Sequence, residues 1–219
     1  MEKTGIEVNP MRLIIVRHGE TDWNRLRRTQ GMTDIELTPK GLKQARRMGA
    51  RVRGMHIQCV FSSPLSRALS TANAIASSCR VPVLIDDDLR EIAFGEWEGL
   101  TFDEIGERYP EELRVWNTDP HLCPVPGKAE TVIQVAERAS RFLSRLRQQY
   151  DGKTVVVVSH SVPCKSMVAL SIGLPLSRIH SIRMDNASMS IIDFYEDRAV
   201  LRLLNDTTHL MEELPWQKR

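Results

Sequence analysis

Apolar positions along the chain follow two rhythms, and their alternation predicts the architecture. Arg12-Leu-Ile-Ile-Val16 is a β-branched run that stops at Arg17-His18-Gly19, as a buried strand would. Thr38 and Pro39 read as an N-cap followed by proline at the first helical position, and the segment to about Arg53 sets Leu42, Ala45, Met48 and Val52 on one face. Cys59-Val-Phe61 predicts a second strand, ended by Ser62-Ser63-Pro64. The next helix runs to about Ser78 and buries Leu65, Ala68, Leu69, Ala72, Ile75 and Ala76. Val81–Ile85 is a third strand candidate. Glu130–Gln149 is a long amphipathic helix, and Thr154–Val158 holds four consecutive valines, which pack well only with both faces buried. A helix over Ser161–Ile172 follows, then strand-like runs at Met189–Tyr195 and Ala199–Leu204 joined by Glu196-Asp197 as an edge hairpin.

Strands alternating with helices imply an α/β fold: a three-layer α/β/α sandwich around a largely parallel mixed sheet. Residues 86–128 carry short helices, among them Phe102–Arg108 and Glu111–Trp116, cut short by Pro120, Pro124 and Pro126. They are expected to form a small cap. The organisation expected is a tail over 1–10, one domain over 11–210 with the cap at 86–128, and a second tail over 211–219.

Composition narrows the function. The 219 residues carry a net charge of +2, too small to favour non-specific nucleic-acid binding. Cys59, Cys79, Cys123 and Cys164 lie far apart without a C-x-x-C pair, which fits reduced thiols in a cytoplasm. The first ten residues hold no apolar core of a leader, and no run approaches about 18 apolar residues, so neither secretion nor membrane partners are expected. The terminal hairpin offers an edge able to pair across a homodimer.

The candidate chemistry gathers at strand ends. Val16-Arg17-His18-Gly19 and Val157-Val158-Ser159-His160-Ser161 each end a strand in histidine and open helix-compatible sequence. Ligands of open α/β sheets bind outside the carboxyl ends of strands, where helix N-termini present free N–H groups to anions. Ser62-Ser63-Pro64-Leu65-Ser66-Arg67 ends a third strand there, with Arg67 about one turn into the following helix. Two arginines and two histidines at one edge call for an anion, and phosphate suits bidentate guanidinium contacts.

These residues resemble the histidine phosphatase superfamily, also called phosphoglycerate-mutase-like, with α-ribazole and broad-specificity phosphatases as the members most similar in pattern. Arg17-His18-Gly19-Glu20-Thr21 is similar to its R-H-G signature, and Gln30-Gly31 with Asp34 and Leu37-Thr38-Pro39-Lys40-Gly41 resembles its next stretch. Ser62 to Ala68, Leu89-Arg90-Glu91 with Phe94-Gly95-Glu96-Trp97-Glu98-Gly99, and Val158-Ser159-His160 complete five ordered motifs over residues 11–165. The resemblance implies a small phosphomonoester as the substrate partner, with no metal and no cofactor. It implies that His18 attacks phosphorus, that Arg17, Arg67 and His160 hold the equatorial oxygens, and that Glu91 exchanges protons with the leaving oxygen and then with water. Asn24, Gln30, Gly31 and the N–H of Ser161 become further phosphate contacts.

Glu20, Glu96 and Glu98 are acidic alternatives to Glu91, and serine stands at 161 where the family usually has glycine. Cys164 reads as a buried structural thiol, and Trp97 and Trp116 as residues of the cap core or the substrate mouth. The loop Arg183–Ser188 resembles one near the site in some family members. A mutase shares the first step, but the segment 100–153 is compact for one, which favours water access and hydrolysis. A non-catalytic phosphate-binding domain is the third reading.

Overall fold

The computed structural model describes residues 9–211, so most of both expected tails lies outside the described residues. The strands are β1 (Met11–Arg17), β2 (Ile57–Ser62), β3 (Val83–Ile85), β4 (Thr154–Ser159), β5 (Met189–Phe194) and β6 (Ala199–Asp206). They form one sheet in the order β3-β2-β4-β1-β5-β6. β3, β2, β4 and β1 run parallel, whereas β5 and β6 are antiparallel additions at one edge. The sandwich expected from the alternation is the fold observed, and the hairpin is where the run of β-branched residues placed it.

The helices are α1 (Asp22–Arg25), α2 (Pro39–Val52), α3 (Ser66–Cys79), α4 (Phe102–Arg108), α5 (Pro110–Thr118), α6 (Val132–Gln149) and α7 (Ser161–Ile172). Two apolar clusters lie on opposite sides of the sheet, and the side-chain period of two divides the central strands between them. Leu13 and Ile15 of β1 join Val155 and Val157 of β4 against α6 and α7, through Phe142, Leu143, Met167 and Val168. Ile14, Val16, Val156 and Val158 face α2 and α3, through Met48, Val52, Ala72 and Ile75. Each fully buried Val, Leu or Ile contributes roughly 1.5–3 kcal/mol. The valine run is therefore a consequence of having helices on both faces.

Some expectations shift by a residue or two. The buried stripe of α2 is Gly41, Ala45, Met48, Gly49 and Val52, so Leu42 is 42 % exposed rather than buried. Gly41 takes the inward place because its backbone meets that of Glu20, and a Cβ there would lie 2.1 Å from the Glu20 carbonyl oxygen. Leu69 is half-buried, β3 starts at Val83 rather than Val81, and α6 begins after a Thr131 capping box rather than at Glu130.

Residues from the 86–128 segment form a third cluster with α6, α7 and the turn after α7. Ile92, Phe94, Trp97, Ile105 and Trp116 pack there against Val132, Val135, Val162 and Ile179. Among the described residues no helix is long and apolar enough to cross a membrane.

Candidate active site

The carboxyl ends of β1, β2 and β4 meet at a cavity of about 620 Å³. Parallel register brings them together: Arg17 lies opposite Ser159, and Ser62 opposite Val158. The turn that follows each of β1 and β4 carries its histidine to within a few ångströms of the other. The His18 and His160 ring centroids are 5.1 Å apart.

His18 is buried, and its Nδ1 lies 2.7 Å from the Gly19 carbonyl oxygen. A carbonyl only accepts, so Nδ1 carries the proton and Nε2 keeps its lone pair. Burial, followed by the charges of Arg17 and Arg67, holds the imidazole well below the usual histidine range. Its main chain is clamped: His18 N–H donates to Ser159 O, and Ala187 N–H and Asn186 Nδ2 donate to His18 O. Gly19 N–H donates to Thr71 Oγ1, which itself donates to Arg67 O. The loop 183–188 thus does back the site, as its resemblance suggested.

Arg67 is wholly buried and is the second residue of α3, nearer the helix start than the expected full turn. Its Nε donates to His160 Nδ1 (3.2 Å), Nη1 to Thr33 O (2.9 Å) and Nη2 to Gly31 O (2.8 Å). Asp34 accepts from Ser66 N–H and Oγ–H at the start of α3, and stands 3.7 Å from Arg67 Nη1. Arg17 Nη1 donates to Met184 O, and desolvation lowers the guanidinium pKa. Gly31 sits at φ +55, where a Cβ would strike the Glu98 carboxylate at 2.1 Å, so the turn that offers its carbonyl to Arg67 requires glycine.

His160 has both ring nitrogens occupied. A guanidinium has no acceptor, so its Nδ1 must receive Arg67 Nε–H, and Nε2–H then donates to Ser63 Oγ at 2.8 Å. With both nitrogens engaged, its ring is fixed beside Arg67 and next to His18. The Ser161 amide is occupied as well. Its N–H and that of Val162 converge on Glu91, at 3.1 Å to Oε2 and 3.2 Å to Oε1, so the amide expected at phosphate is given to a carboxylate. Ser161 opens α7 with φ outside the left-handed region, so serine replaces the usual glycine without backbone strain.

Glu91 is the acid that the fold delivers to the cavity. The alternatives are committed elsewhere: Glu98 to Met32, Thr33 and Phe94, Glu20 to Thr38 and Lys40, and Glu96 to Tyr109. Arg138 of α6, which the motif pattern did not single out, holds the Glu91 segment by donating to Asp88 O, Arg90 O and Glu91 O while pairing with Glu130. Its inward placement on α6 at helical spacing was the available signal.

Asn24, Gln30 and Gly31 line the cavity. Asn24 Oδ1 accepts from Thr21 and from Asn186 Nδ2, leaving its own NH2 to donate. Of the basic cluster Arg25, Arg27 and Arg28, which reads in the sequence as a solvated loop or a face for an anionic substrate, Arg27 and Arg28 line the cavity; Lys165, which was not expected there, lies four residues after Ser161, on the same helical face. Trp116 is part of the wall, whereas Trp97 is fully buried away from it. Cys164 is buried, and desolvation raises its thiol pKa, so it is inert packing. Among the described residues no three His, Cys, Asp or Glu side chains group to hold a metal ion.

Residues 13–207 match the model of the histidine phosphatase superfamily, branch 1. Phosphoserine phosphatase 1 of Hydrogenobacter thermophilus is 39% identical over 202 residues, covering 92% of this chain and 95% of that protein. Bacillus stearothermophilus YhfR superposes with a TM-score of 0.86 at 33% identity, covering 92% of this chain and all of that one. A phosphoserine phosphatase of Entamoeba histolytica, solved with 3-phosphoglyceric acid, gives 0.84 at 33% identity with the same coverage.

Proposed function

The chain belongs to the histidine phosphatase superfamily, branch 1, and is a phosphomonoester hydrolase, and we propose that it works through a phosphohistidine formed on Nε2 of His18. The observation that carries this reading is the state of that ring. Its Nδ1 proton is spent on Gly19 O, and burial beside two guanidinium groups keeps it neutral. A neutral imidazole with one free lone pair, facing a cationic cavity, is an activated nucleophile.

In the first step Nε2 forms a bond to phosphorus as the ester P–O bond breaks, and the bonding pair leaves with the alcohol oxygen. Arg17 and Arg67 stabilise the charge spread over the equatorial oxygens, and Asn24 donates from the rim. Gln30 and the Gly31 turn shape the wall beside them. Glu91 supplies the proton that the leaving oxygen needs. In the second step a water oxygen attacks phosphorus, Glu91 takes its proton, the P–N bond breaks, and inorganic phosphate is released. His160, held between Arg67 and Ser63, orients the Arg67 guanidinium and reaches a phosphoryl oxygen only by giving up a present partner. Ser161 serves through its amide, which seats Glu91. The expected partner is a small-molecule phosphomonoester, and four unpaired thiols support a cytoplasmic setting.

The test is to trap the intermediate. Rapid mixing with p-nitrophenyl phosphate in EDTA, followed by an alkaline quench, leaves a base-stable, acid-labile phosphoryl group on the His18 peptide by mass spectrometry. His18→Ala leaves none. A phosphoryl group on a hydroxyl residue, or turnover intact in His18→Ala, overturns the assignment.

A further inference from the structure

The segment that carries Glu91 has little regular structure of its own. Residues 90–94 lie between two short helical turns, Asp87–Leu89 and Gly95–Trp97, and belong to no strand or helix. Carbonyl groups that face inward there need donors that no backbone ladder supplies. Arg138 supplies them. Its side chain is buried, and all five N–H groups of the guanidinium are spent. Nη1 donates to Asp88 O at 2.7 Å and to Arg90 O at 2.6 Å, and Nη2 to Glu91 O at 3.1 Å. Nε and Nη2 form a forked pair with the Glu130 carboxylate, each at 3.0 Å. Glu130 holds the other flank: Oε2 accepts from Ala93 N–H, and its own N–H donates to Ala93 O. Together the two residues grip the main chain on both sides of Glu91.

Backbone placement matters more than usual for this carboxylate. Besides Ser161 and Val162, it accepts from the N–H of its own neighbour Ile92 at 3.0 Å. A rotation of the 91–92 peptide would break that bond and swing both oxygens away from the helix start. We propose that Arg138 and Glu130 are positioning residues for proton transfer, fixing the Glu91 carboxylate where the leaving oxygen and the attacking water stand. This rests on the reading of Glu91 as the proton donor. Every Arg138 donor goes to a main-chain carbonyl or to Glu130, so its effect on the reaction passes through Glu91. The defect should therefore scale with how much the leaving oxygen needs a proton. p-Nitrophenolate departs without one, whereas an alkoxide does not.

The experiment compares kcat/KM for benzyl phosphate and p-nitrophenyl phosphate in EDTA, two aryl-bearing esters of which only the first must release an alkoxide. Arg138→Met should cost about a hundredfold on benzyl phosphate, the lower end for a positioned general acid, and less than about fivefold on p-nitrophenyl phosphate. Its kcat for p-nitrophenyl phosphate should still fall, with a burst of p-nitrophenolate, because the hydrolytic water also needs Glu91. Added to Glu91→Gln, the same change should cost no more than about twofold, since the two residues act as one unit. Glu130→Gln leaves Arg138 an acceptor and should give the same selective loss at about tenfold, which carries the test if Arg138→Met does not fold. Equal losses on the two esters, or losses that multiply with Glu91→Gln, overturn the proposal. Equal losses in Glu91→Gln itself would instead remove the underlying assignment of the proton donor.

Discussion

Two cavities of nearly equal size, about 620 and 600 Å³, lie at opposite ends of the sheet. The second is lined by Met11 at the start of β1, Phe194 at the end of antiparallel β5, and the C-terminal turns of α6. It holds one cation, Arg147, with Asp151 and Glu196, whereas the first holds five cations and one carboxylate. Volume does not separate them; polarity of the backbone does. The carboxyl ends of parallel strands lead into helix N-termini, whose N–H groups and positive dipole ends attract anions. The opposite end gathers helix C-termini, which repel them. The difference shows that the chain's direction through the sheet selects where phosphate chemistry is feasible before any single side chain does.

Breaking the cationic side should have the largest effect. Arg67→Ala is expected to lower kcat for p-nitrophenyl phosphate about a hundredfold or more, as removing one oxyanion donor does, with folding checked by circular dichroism. A rate near wild type would mean that the cations are structural and that the contrast between the cavities has no catalytic meaning.

A smaller effect is expected in stability. His18 and His160 are both held well below the usual histidine range by burial and the neighbouring arginines. Above about pH 6.5 neither state of the chain protonates them. Below it the unfolded chain takes up protons that the folded chain refuses, so stability falls with pH by about 1.4 kcal/mol per pH unit for each histidine. Urea unfolding between pH 7 and 5 should show a slope reduced by about that amount in His160→Gln. An unchanged slope would mean that the ring is already protonated in the fold.

The smallest effect sharpens the comparison from the other side. Asp151→Asn, in the exposed wall of the second cavity, should leave kcat/KM within about twofold, since surface changes usually stay within about 0.5 kcal/mol. A tenfold loss would show that the two ends communicate.

The placement of His18 and Arg67 at the strand ends was legible because a strand, a turn and a helix start lie contiguous in sequence, and hydrophobic period marks each. Glu91 was recognisable only by its motif, since what selects it over Glu20, Glu96 and Glu98 is who occupies each carboxylate. Arg138 and Lys165 lay in segments whose local pattern reads as ordinary helix, and the loop that carries Asn186 was marked only by its resemblance.

What the chain by itself determined is the alternation of strands and helices and the strand ends that carry basic residues, because backbone period and turn chemistry act over a few neighbours. Tertiary structure alone decided that His160 engages Arg67 and Ser63, that the Ser161 amide is held by Glu91, and that Lys165 lines the cavity with no ion-pair partner among the described residues. Those facts depend on hydrogen bonds and burial between residues 47 to 168 positions apart, such as Arg138 with Glu91, Ser161 with Glu91 and Asn186 with His18. Nothing in a local pattern encodes which of several donors reaches a given acceptor first.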